Sequence, residues 1–150
     1  MAESHELSVR ECESLLRSHS VGRVAVATPT GPHIVPVYYT VTQDAVIIRT
    51  SPYSVLGTYG RNTNLALEVD GFDHQRERGW SVQARGRCDV VEDYAEIARI
   101  REGPQSPPWA GGSRSLFMRL QWNELIGRRL GSGWNPLDDA ASHGKEHGSG

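Results

Sequence analysis

The chain has 150 residues, which is enough for one domain with a single hydrophobic core. Its 16 basic and 18 acidic residues leave a formal net charge of -2, so the composition predicts no nucleic-acid partner. The longest apolar runs have only the length of strands and the N-terminus does not resemble a signal peptide, so we expect a cytoplasmic protein with no membrane partner.

The first half of the chain predicts one helix and a series of strands. Residues 1–7 are expected to be flexible, and Ser8 and Glu11 then form the capping box of a short amphipathic helix that ends near Ser20. Apolar and β-branched residues predict strands at 21–28, 33–41, 45–50 and 65–69. One or two helical turns over 53–61, weakened by two glycines, separate the third strand from the fourth.

The second half predicts two more strands and another helix. The elements expected are a polar loop (71–79), a fifth strand (80–91), a helix (93–101), a Pro/Gly-rich loop (103–114), a sixth strand (115–122), a last strand or turn (124–130) and a disordered tail (131–150). Gly86 marks a bulge or bend in the fifth strand. Six strands with short helices and no strand–helix–strand alternation predict a mainly β protein, a small barrel, and exclude a Rossmann fold.

Several kinds of chemistry lack the residues that they need. Fifteen of the 16 basic residues are arginine, and the single lysine, Lys145, lies in the predicted tail, which excludes a P-loop or a Schiff base in the folded part. Cys12 and Cys88 have no metal-ligand spacing and are interpreted as small apolar residues. The six histidines are scattered, so no metal site is predicted. Without a catalytic triad or a carboxylate pair, a hydrolase is not expected.

A polar cluster follows the third predicted strand. Arg49, Thr50 and Ser51 come directly after apolar residues, and Pro52 and Ser54 follow them. A guanidinium group, hydroxyls and the first N–H groups of a helix are the donors that a phosphate needs. The alternative is an ordinary strand-to-helix turn in which Ser51 is the N-cap and Pro52 the first helical residue. The cluster alone leaves both interpretations open.

The order of short motifs along the chain resembles a known family. The motifs are Val21-Gly22-Arg23-Val24-Ala25, Ile34-Val35-Pro36-Val37-Tyr38, Ile48-Arg49-Thr50, Leu67-Glu68-Val69-Asp70, Gly79-Trp80-Ser81-Val82, Gly86-Arg87 and Pro108-Trp109-Ala110. Together they are similar to the pyridoxamine 5′-phosphate oxidase-like flavin-binding family in its short bacterial form. The resemblance covers residues 8–130, which leaves a flexible N-terminus (1–7) and a polar tail (131–150).

The resemblance implies a six-stranded split β-barrel that forms a homodimer and holds FMN, or in related branches a deazaflavin, in a cleft between the subunits. It places the cofactor phosphate at Arg49, Thr50, Ser51 and Ser54, and the isoalloxazine ring along Pro36, Val37 and Tyr38. Proline within that strand already requires an edge, a bulge or a backbone that faces a ligand. Trp109, in its Pro/Gly-rich loop, is a candidate to close over the ring.

One position departs from the family pattern. Many members carry Gly-Ser-Lys-Leu after the Arg-Thr segment, where this chain has Tyr53-Ser54-Val55-Leu56. Losing that positive charge weakens phosphate binding about tenfold unless another arginine compensates. A deazaflavin, with its longer acidic tail, needs further basic residues, for which Arg61, Arg76 and Arg78 are candidates.

The resemblance leaves three functions open. The first is a flavin-dependent oxidoreductase that acts on a small molecule with a small-molecule electron donor. The second is a non-catalytic binding or carrier protein that holds a flavin, a deazaflavin or a haem in the same cleft. The third is a barrel with an empty cleft that acts only as a dimerisation module. Turnover with a reduced nicotinamide distinguishes the first from the others, since fold alone does not fix function.

Overall fold

The computed structural model describes residues 4–103 and 116–138. The strands are β1 (Ser4–Glu6), β2 (Val21–Thr28), β3 (Gly31–Thr42), β4 (Ala45–Thr50), β5 (Thr63–Asp73), β6 (Arg78–Val90) and β7 (Leu116–Leu130). The helices are α1 (Val9–Ser18), α2 (Val55–Tyr59) and α3 (Tyr94–Glu102). None of the described helices is long and apolar enough to cross a membrane.

The strands form one antiparallel sheet in the order β1-β7-β4-β3-β2-β5-β6, and β6 pairs with β7 to close the ring. The prediction of a mainly β split barrel is therefore confirmed. Strand alternation directs one face of each barrel strand inward, and the large side chains that are fully enclosed there come from five strands and from helices α1 and α2. They include Leu15, Leu16, Val24, Ile48, Leu67, Val82 and Leu120.

Helix α1 begins where the capping box predicts. The Ser8 hydroxyl accepts from the Glu11 amide at 3.1 Å, and the Glu11 carboxylate accepts from the Ser8 amide at 3.2 Å. The apolar stripe of the helix, with Cys12, Leu15 and Leu16 fully buried, packs into the barrel. Burial raises the pKa of the Cys12 thiol, and it raises that of Cys88 on β6 to about 12, so neither cysteine is a thiolate at neutral pH.

Several segments form more regular structure than the sequence predicts. Residues 4–6 were expected to be flexible but pair with the end of β7, a partner that no local pattern reveals. The predicted polar loop over 71–79 is mostly a continuation of the β5–β6 hairpin, whose strands pair as far as Asp73 and Arg78. At the start of the predicted disordered tail, Trp134 donates from its indole nitrogen to the Leu130 carbonyl at 3.0 Å and packs against the core.

The bulge predicted near Gly86 is confirmed and explains another difference. The two last predicted segments are one continuous strand, β7, and its register against β6 shifts between Arg85 and Gly86. A side chain at Gly86 would lie 2.0 Å from the carbonyl oxygen of Gln121, so only glycine permits this approach. The shift lets β7 bend and serve as a partner of β4 in one half and of β6 along its length.

Helix α3 covers the outside of the barrel next to the predicted site. Ile47 on β4, Val91 after β6 and Phe117 on β7 form a small buried cluster, and Ile97 and Ile100 of α3 pack against it. Strand β4 is therefore buried on both faces, on the inner face by the core and on the outer face by α3. This double cover fixes the end of β4, where the polar cluster begins.

Candidate functional site

The hydroxyls of the polar cluster converge at the turn between β4 and α2. The Oγ1 of Thr50 lies 2.8 Å from the Oγ of Ser54, which donates to the Ser51 carbonyl at 2.7 Å and accepts from the Gly57 amide at 2.9 Å. Ser54, and not Ser51, is therefore the N-cap of α2. A side chain at Gly57 would meet the Ser51 carbonyl at 2.3 Å, so the turn needs glycine at that position.

These hydrogen bonds separate a structural hydroxyl from an available one. Because the Ser54 hydroxyl donates its proton to Ser51, it stabilises the turn and is committed there. The Oγ of Ser51 instead accepts from the Tyr53 amide at 3.2 Å, which leaves its hydroxyl proton to be directed elsewhere. The first amides of α2, at Val55 and Leu56, lie beyond the reach of intrahelical acceptors. Ser51 and this backbone are the donors that the turn can offer an anion.

Arg49 lies on the outer face of β4, against the small apolar cluster that α3 covers. It is paired across the sheet with Phe117, and its guanidinium carbon is 5.4 Å from the centre of that ring. The guanidinium carbon of Arg101, near the end of α3, is 5.8 Å from the same centre. Two permanent positive charges thus approach one buried ring beside the β4–α2 turn. No local pattern in the sequence identifies Arg101, because only the packing of α3 brings it to this place.

The strand expected to carry the ring changes its pairing partner at one position. Residues 31–38 of β3 pair with β2, and residues 39–42 pair with β4. Within the described ranges, no residue of β3 has a strand partner in both β2 and β4, so the sheet splits between Tyr38 and Tyr39, where the Tyr39 amide still donates to the Ser20 carbonyl, just before β2, at 2.9 Å. Extending the β3–β4 register beyond the Tyr39–Ile48 pair brings Thr50 opposite Val37. The open edge of β3 therefore begins where β4 ends and the hydroxyl cluster starts.

The three residues predicted along the ring have different surroundings. Pro36 is exposed, Tyr38 is half-buried, and Val37 points into the core with 7% of its surface exposed. Val37 can therefore meet a ligand on that edge only through its backbone. Of the two adjacent tyrosines, Tyr39 is the buried one, and its hydroxyl donates to the Leu16 carbonyl at 2.7 Å. Burial raises the pKa of Tyr39, which keeps it neutral.

Other candidate residues have structural partners or lie elsewhere. Trp109 falls between residues 103 and 116, outside the described residues, so its proposed role stays a prediction. The Nε of Arg61 donates to the Gly57 carbonyl at 2.7 Å, which holds the end of α2. Arg76 and Arg78 approach Asp73, at 3.7 and 3.9 Å. No group of three metal-binding side chains occurs among the described residues.

Known proteins resemble this chain over most of its length. Residues 8–129 match the family model described as pyridoxamine 5′-phosphate oxidase. An uncharacterised protein of Mycobacterium tuberculosis is 28% identical over 130 residues, covering 83% of this chain and 84% of that protein. The family match, over residues 8–129, spans the barrel and nearly all of the described residues.

Solved structures of two FAD-binding proteins have the same fold. The FAD binding protein from Mycobacterium smegmatis is 30% identical, with a TM-score of 0.71, and the match covers 83% of this chain and 97% of that one. A FAD-binding protein from Mesorhizobium loti is 26% identical, also with a TM-score of 0.71, over 84% of this chain and 97% of that one. The chain is thus a member of the pyridoxamine 5′-phosphate oxidase family and has the split-barrel fold of its flavin-binding members.

Proposed function

We propose that the protein binds a flavin nucleotide and uses it as an oxidoreductase acting on a small molecule. The observation that carries the proposal is the split of the sheet between Tyr38 and Tyr39, directly beside the turn that begins at Thr50. The split gives an open strand edge for a planar ring and, at one end of that edge, a cluster of donors for a phosphate. A flavin nucleotide has these two parts joined by a short polyol chain.

The phosphate would be held by Arg49, by the Ser51 hydroxyl and by the backbone at the start of α2, with Thr50 and Ser54 shaping the turn. The stacking of Arg49 on Phe117 limits the conformations that its side chain must give up on binding. Val55 stands where many family members have lysine. Arg101, which approaches the same ring, supplies a second positive charge that offsets this loss.

The ring would lie along residues 36–38, where the outward edge of β3 presents backbone groups. Pro36 and Tyr38 flank it on the exposed face, and Val37 contributes its main chain only. A bound flavin supplies the hydride or electron transfer itself. The protein then has to bind and orient the ring and exclude water, tasks that these residues suit without a general acid.

The proposal covers both FMN and FAD. The two cofactors share the isoalloxazine ring, the polyol chain and the first phosphate, which is the part that this site fits. FMN is the cofactor that the resemblance implies, and two relatives of 26–30% identity are FAD-binding proteins. A deazaflavin is less well matched, because Arg61, Arg76 and Arg78 are engaged with the chain's own groups. Haem has no specific observation in its favour, since His19 is bonded to the Leu15 carbonyl and packs on Trp80.

The proposal is tested by loading the purified protein with FMN or FAD and removing the excess by gel filtration. We expect retained flavin near one equivalent per chain, read from the visible spectrum. Arg49→Gln should weaken flavin binding at least about tenfold, the value of one charge-assisted contact. Arg10→Gln is the control, because Arg10 is an exposed residue of α1 and its loss changes the net charge equally. Equal affinity of the two variants would remove the phosphate site from β4.

A carrier protein would use the same site, so binding alone does not establish an enzyme. Oxidation of a reduced nicotinamide by the flavin-loaded protein, with transfer to an added acceptor, would support the oxidoreductase. Tight binding without turnover would support the carrier instead. We also propose a cytoplasmic location, to which Cys12 and Cys88, both free thiols, are suited.

We propose that the active form is a homodimer. The outer face of the β2–β3 hairpin exposes apolar side chains on both sides of Arg23: Ile34 has 74% of its surface exposed and Val21 51%, and Pro36 pairs with Arg23 between them. Such a patch on a small protein is typical of an interaction surface. A second copy on this face would cover the open edge of β3 and exclude water from the ring.

A further inference from the structure

A cavity of about 520 Å³ opens at one end of the barrel, bounded by the end of α1, the β5–β6 hairpin and the residues that follow β7. We call it the barrel-end cavity. Strand β7 begins beside Thr50 and ends beside Gly79, so the length of this strand separates the cavity from the β4–α2 turn. A cavity of this volume at the mouth of a β-barrel is a frequent place for a small-molecule site.

The lining of the barrel-end cavity is rich in aromatic rings. His19 and Trp80 pack against each other, with ring centres 4.8 Å apart and ring planes at 53°. Trp134 forms another part of the wall, and the ring of Phe72 lies across Gly79 with 59% of the Phe72 surface exposed. Rings on several sides favour a flat occupant that packs against them.

The charged groups of this lining balance one another. The Nε of Arg78 lies 3.9 Å from the Asp73 carboxylate, and the Arg78 guanidinium carbon lies 4.7 Å from the centre of a Trp134 ring. The Nε of Arg76 lies 3.7 Å from the same carboxylate. A charged ligand would have to compete with these contacts, so the lining favours a molecule without net charge.

His19 offers a hydrogen-bond acceptor. Its Nδ1 lies 2.8 Å from the Leu15 carbonyl oxygen. Because a carbonyl oxygen can only accept, Nδ1 carries a proton, and Nε2 of the neutral ring is then an acceptor. No group in the part of the chain that the structure describes donates to this Nε2. An N–H group of a ligand can therefore bond there.

Trp80 offers the complementary donor. Only 6% of its surface is exposed, and its indole Nε1 lies so close to Gly71 that a methyl group at that glycine would be 2.7 Å away. Within residues 4–103 and 116–138, no acceptor is bonded to this Nε1. Buried indole N–H groups normally have a partner, so this one is suited to an acceptor on a ligand.

We infer that the barrel-end cavity is a second binding site, for an uncharged planar heterocycle that carries both an N–H group and a ring nitrogen, as purines do. The N–H group donates to Nε2 of His19, the ring nitrogen accepts from Nε1 of Trp80, and the flat faces pack against the neighbouring rings. The site uses none of the residues assigned to the flavin, so it does not rest on the proposed function.

The test is an NMR titration of the ¹⁵N-labelled full chain with benzimidazole, at a pH where this probe is uncharged. The indole N–H signal of Trp80, identified by its loss in Trp80→Phe, should move on binding. Two further probes remove one group each, since 1-methylbenzimidazole has no N–H and indole has no acceptor nitrogen. Each should bind at least about fivefold more weakly than benzimidazole. Equal binding of the three probes, or a Trp80 signal that benzimidazole does not move, would overturn the inference.

A variant of His19 tests the acceptor directly. His19→Phe keeps a ring against Trp80 but removes Nε2, so it should abolish the preference for benzimidazole over 1-methylbenzimidazole. His33→Phe is the matched control, because His33 is exposed near the start of β3, and it should keep the preference. A preference that survives in His19→Phe would overturn the assignment. If that variant does not fold, the three probes on the unaltered protein decide the question.

Saturating FMN or FAD in the same titration separates this site from the flavin site. We expect neither cofactor to displace benzimidazole. Displacement by either one would make the cavity part of the flavin site and would overturn a separate site. If benzimidazole binds as described and no flavin does, the barrel-end site stands and the proposed function fails. If flavin binds and benzimidazole does not, the proposed function stands and the inference fails.

Discussion

The two parts of β3 show how one strand serves both stability and binding. Residues 39–42 pair with β4, and Tyr39 is buried with 3% of its surface exposed and a hydrogen bond to Leu16. Residues 31–38 pair with β2, leave their other edge open, and expose Ile34 by 74%. Residues 31–38 have no strand partner on the side of β4, and in a sheet an unpaired edge that is also apolar has to be covered. That requirement makes residues 31–38 the candidate binding surface for both the flavin ring and the second subunit.

The largest effect should come from the tyrosine on the structural side of the split. Tyr39→Ala leaves a cavity in the core and an unsatisfied carbonyl at Leu16, which should lower the free energy of unfolding by about 3–5 kcal/mol. Tyr38→Ala, one residue earlier, should cost less than about 1 kcal/mol, since Tyr38 is only half-buried. Urea unfolding monitored by circular dichroism measures both. Equal losses in the two variants would contradict the division of β3 at this point.

The next effect concerns association. A further charge on the exposed β2–β3 face, introduced as Ile34→Arg, should shift a dimer toward monomers by at least about a hundredfold in dissociation constant, because an unpaired charge would be buried. Light scattering coupled to gel filtration gives the mass. Val9→Arg is the matched control, as Val9 is 64% exposed on α1, away from this face. A variant at Ile34 that keeps the mass of the unaltered protein would place the interface elsewhere.

A smaller effect is expected at the other end of the open edge. Val55→Lys restores the charge that many family members carry after the N-cap Ser54, and should tighten FMN binding by up to about tenfold. Val55→Leu changes size without charge and should leave the affinity unaltered. Fluorescence titration of FMN into both variants gives the comparison. A lysine variant that binds no more tightly would mean that Arg49 and Arg101 already neutralise the phosphate.

How much of this could be predicted from sequence depends on how local each signal is. The capping box at Ser8 and the bulge at Gly86 depend on neighbouring residues and were predicted. The strand at residues 4–6 was missed, because its only support is pairing with β7. In the same way the turn interpretation placed the N-cap at Ser51, whereas the N-cap is Ser54, whose hydroxyl accepts from the Gly57 amide and donates to the Ser51 carbonyl.

The candidate site shows the same limit. The polar cluster and the proline in β3 were visible in the sequence, and the family resemblance connected them. Their closeness follows from the change of partner between Tyr38 and Tyr39, which is a property of the whole sheet. Arg101 could not have been selected from sequence, because only the packing of α3 on the outer face of β4 brings it to Phe117.

The smallest expected effect lies on the strands behind the open edge. Glu68 and Asp70 lie on the outer face of β5, and Arg23 of β2, the cross-strand partner of Pro36, approaches both, at 3.4 and 3.1 Å. A hydrogen bond with Asp70, then burial, then repulsion by Asp70 raise the pKa of Glu68 from 4.5 to about 7, against the opposing effect of Arg23. Glu68 thus keeps its proton to a higher pH beside the face that the flavin ring and the second subunit would cover.

Because Glu68 holds its proton more tightly in the folded chain than in the unfolded one, its contribution to stability is complete below pH 4.5 and is lost as the pH rises through 7. The loss should be at most about 1 kcal/mol, since 42% of the Glu68 side chain is exposed and solvent screens the charges. Glu68→Gln keeps a donor toward Asp70 at every pH and should remove this slope from the Tm measured between pH 4.5 and 8. Glu124→Gln, another half-exposed carboxylate on a barrel strand, is the control. If the Glu68 variant keeps the slope of the unaltered protein, the pH dependence of Tm does not come from Glu68, and the raised pKa of this carboxyl is contradicted.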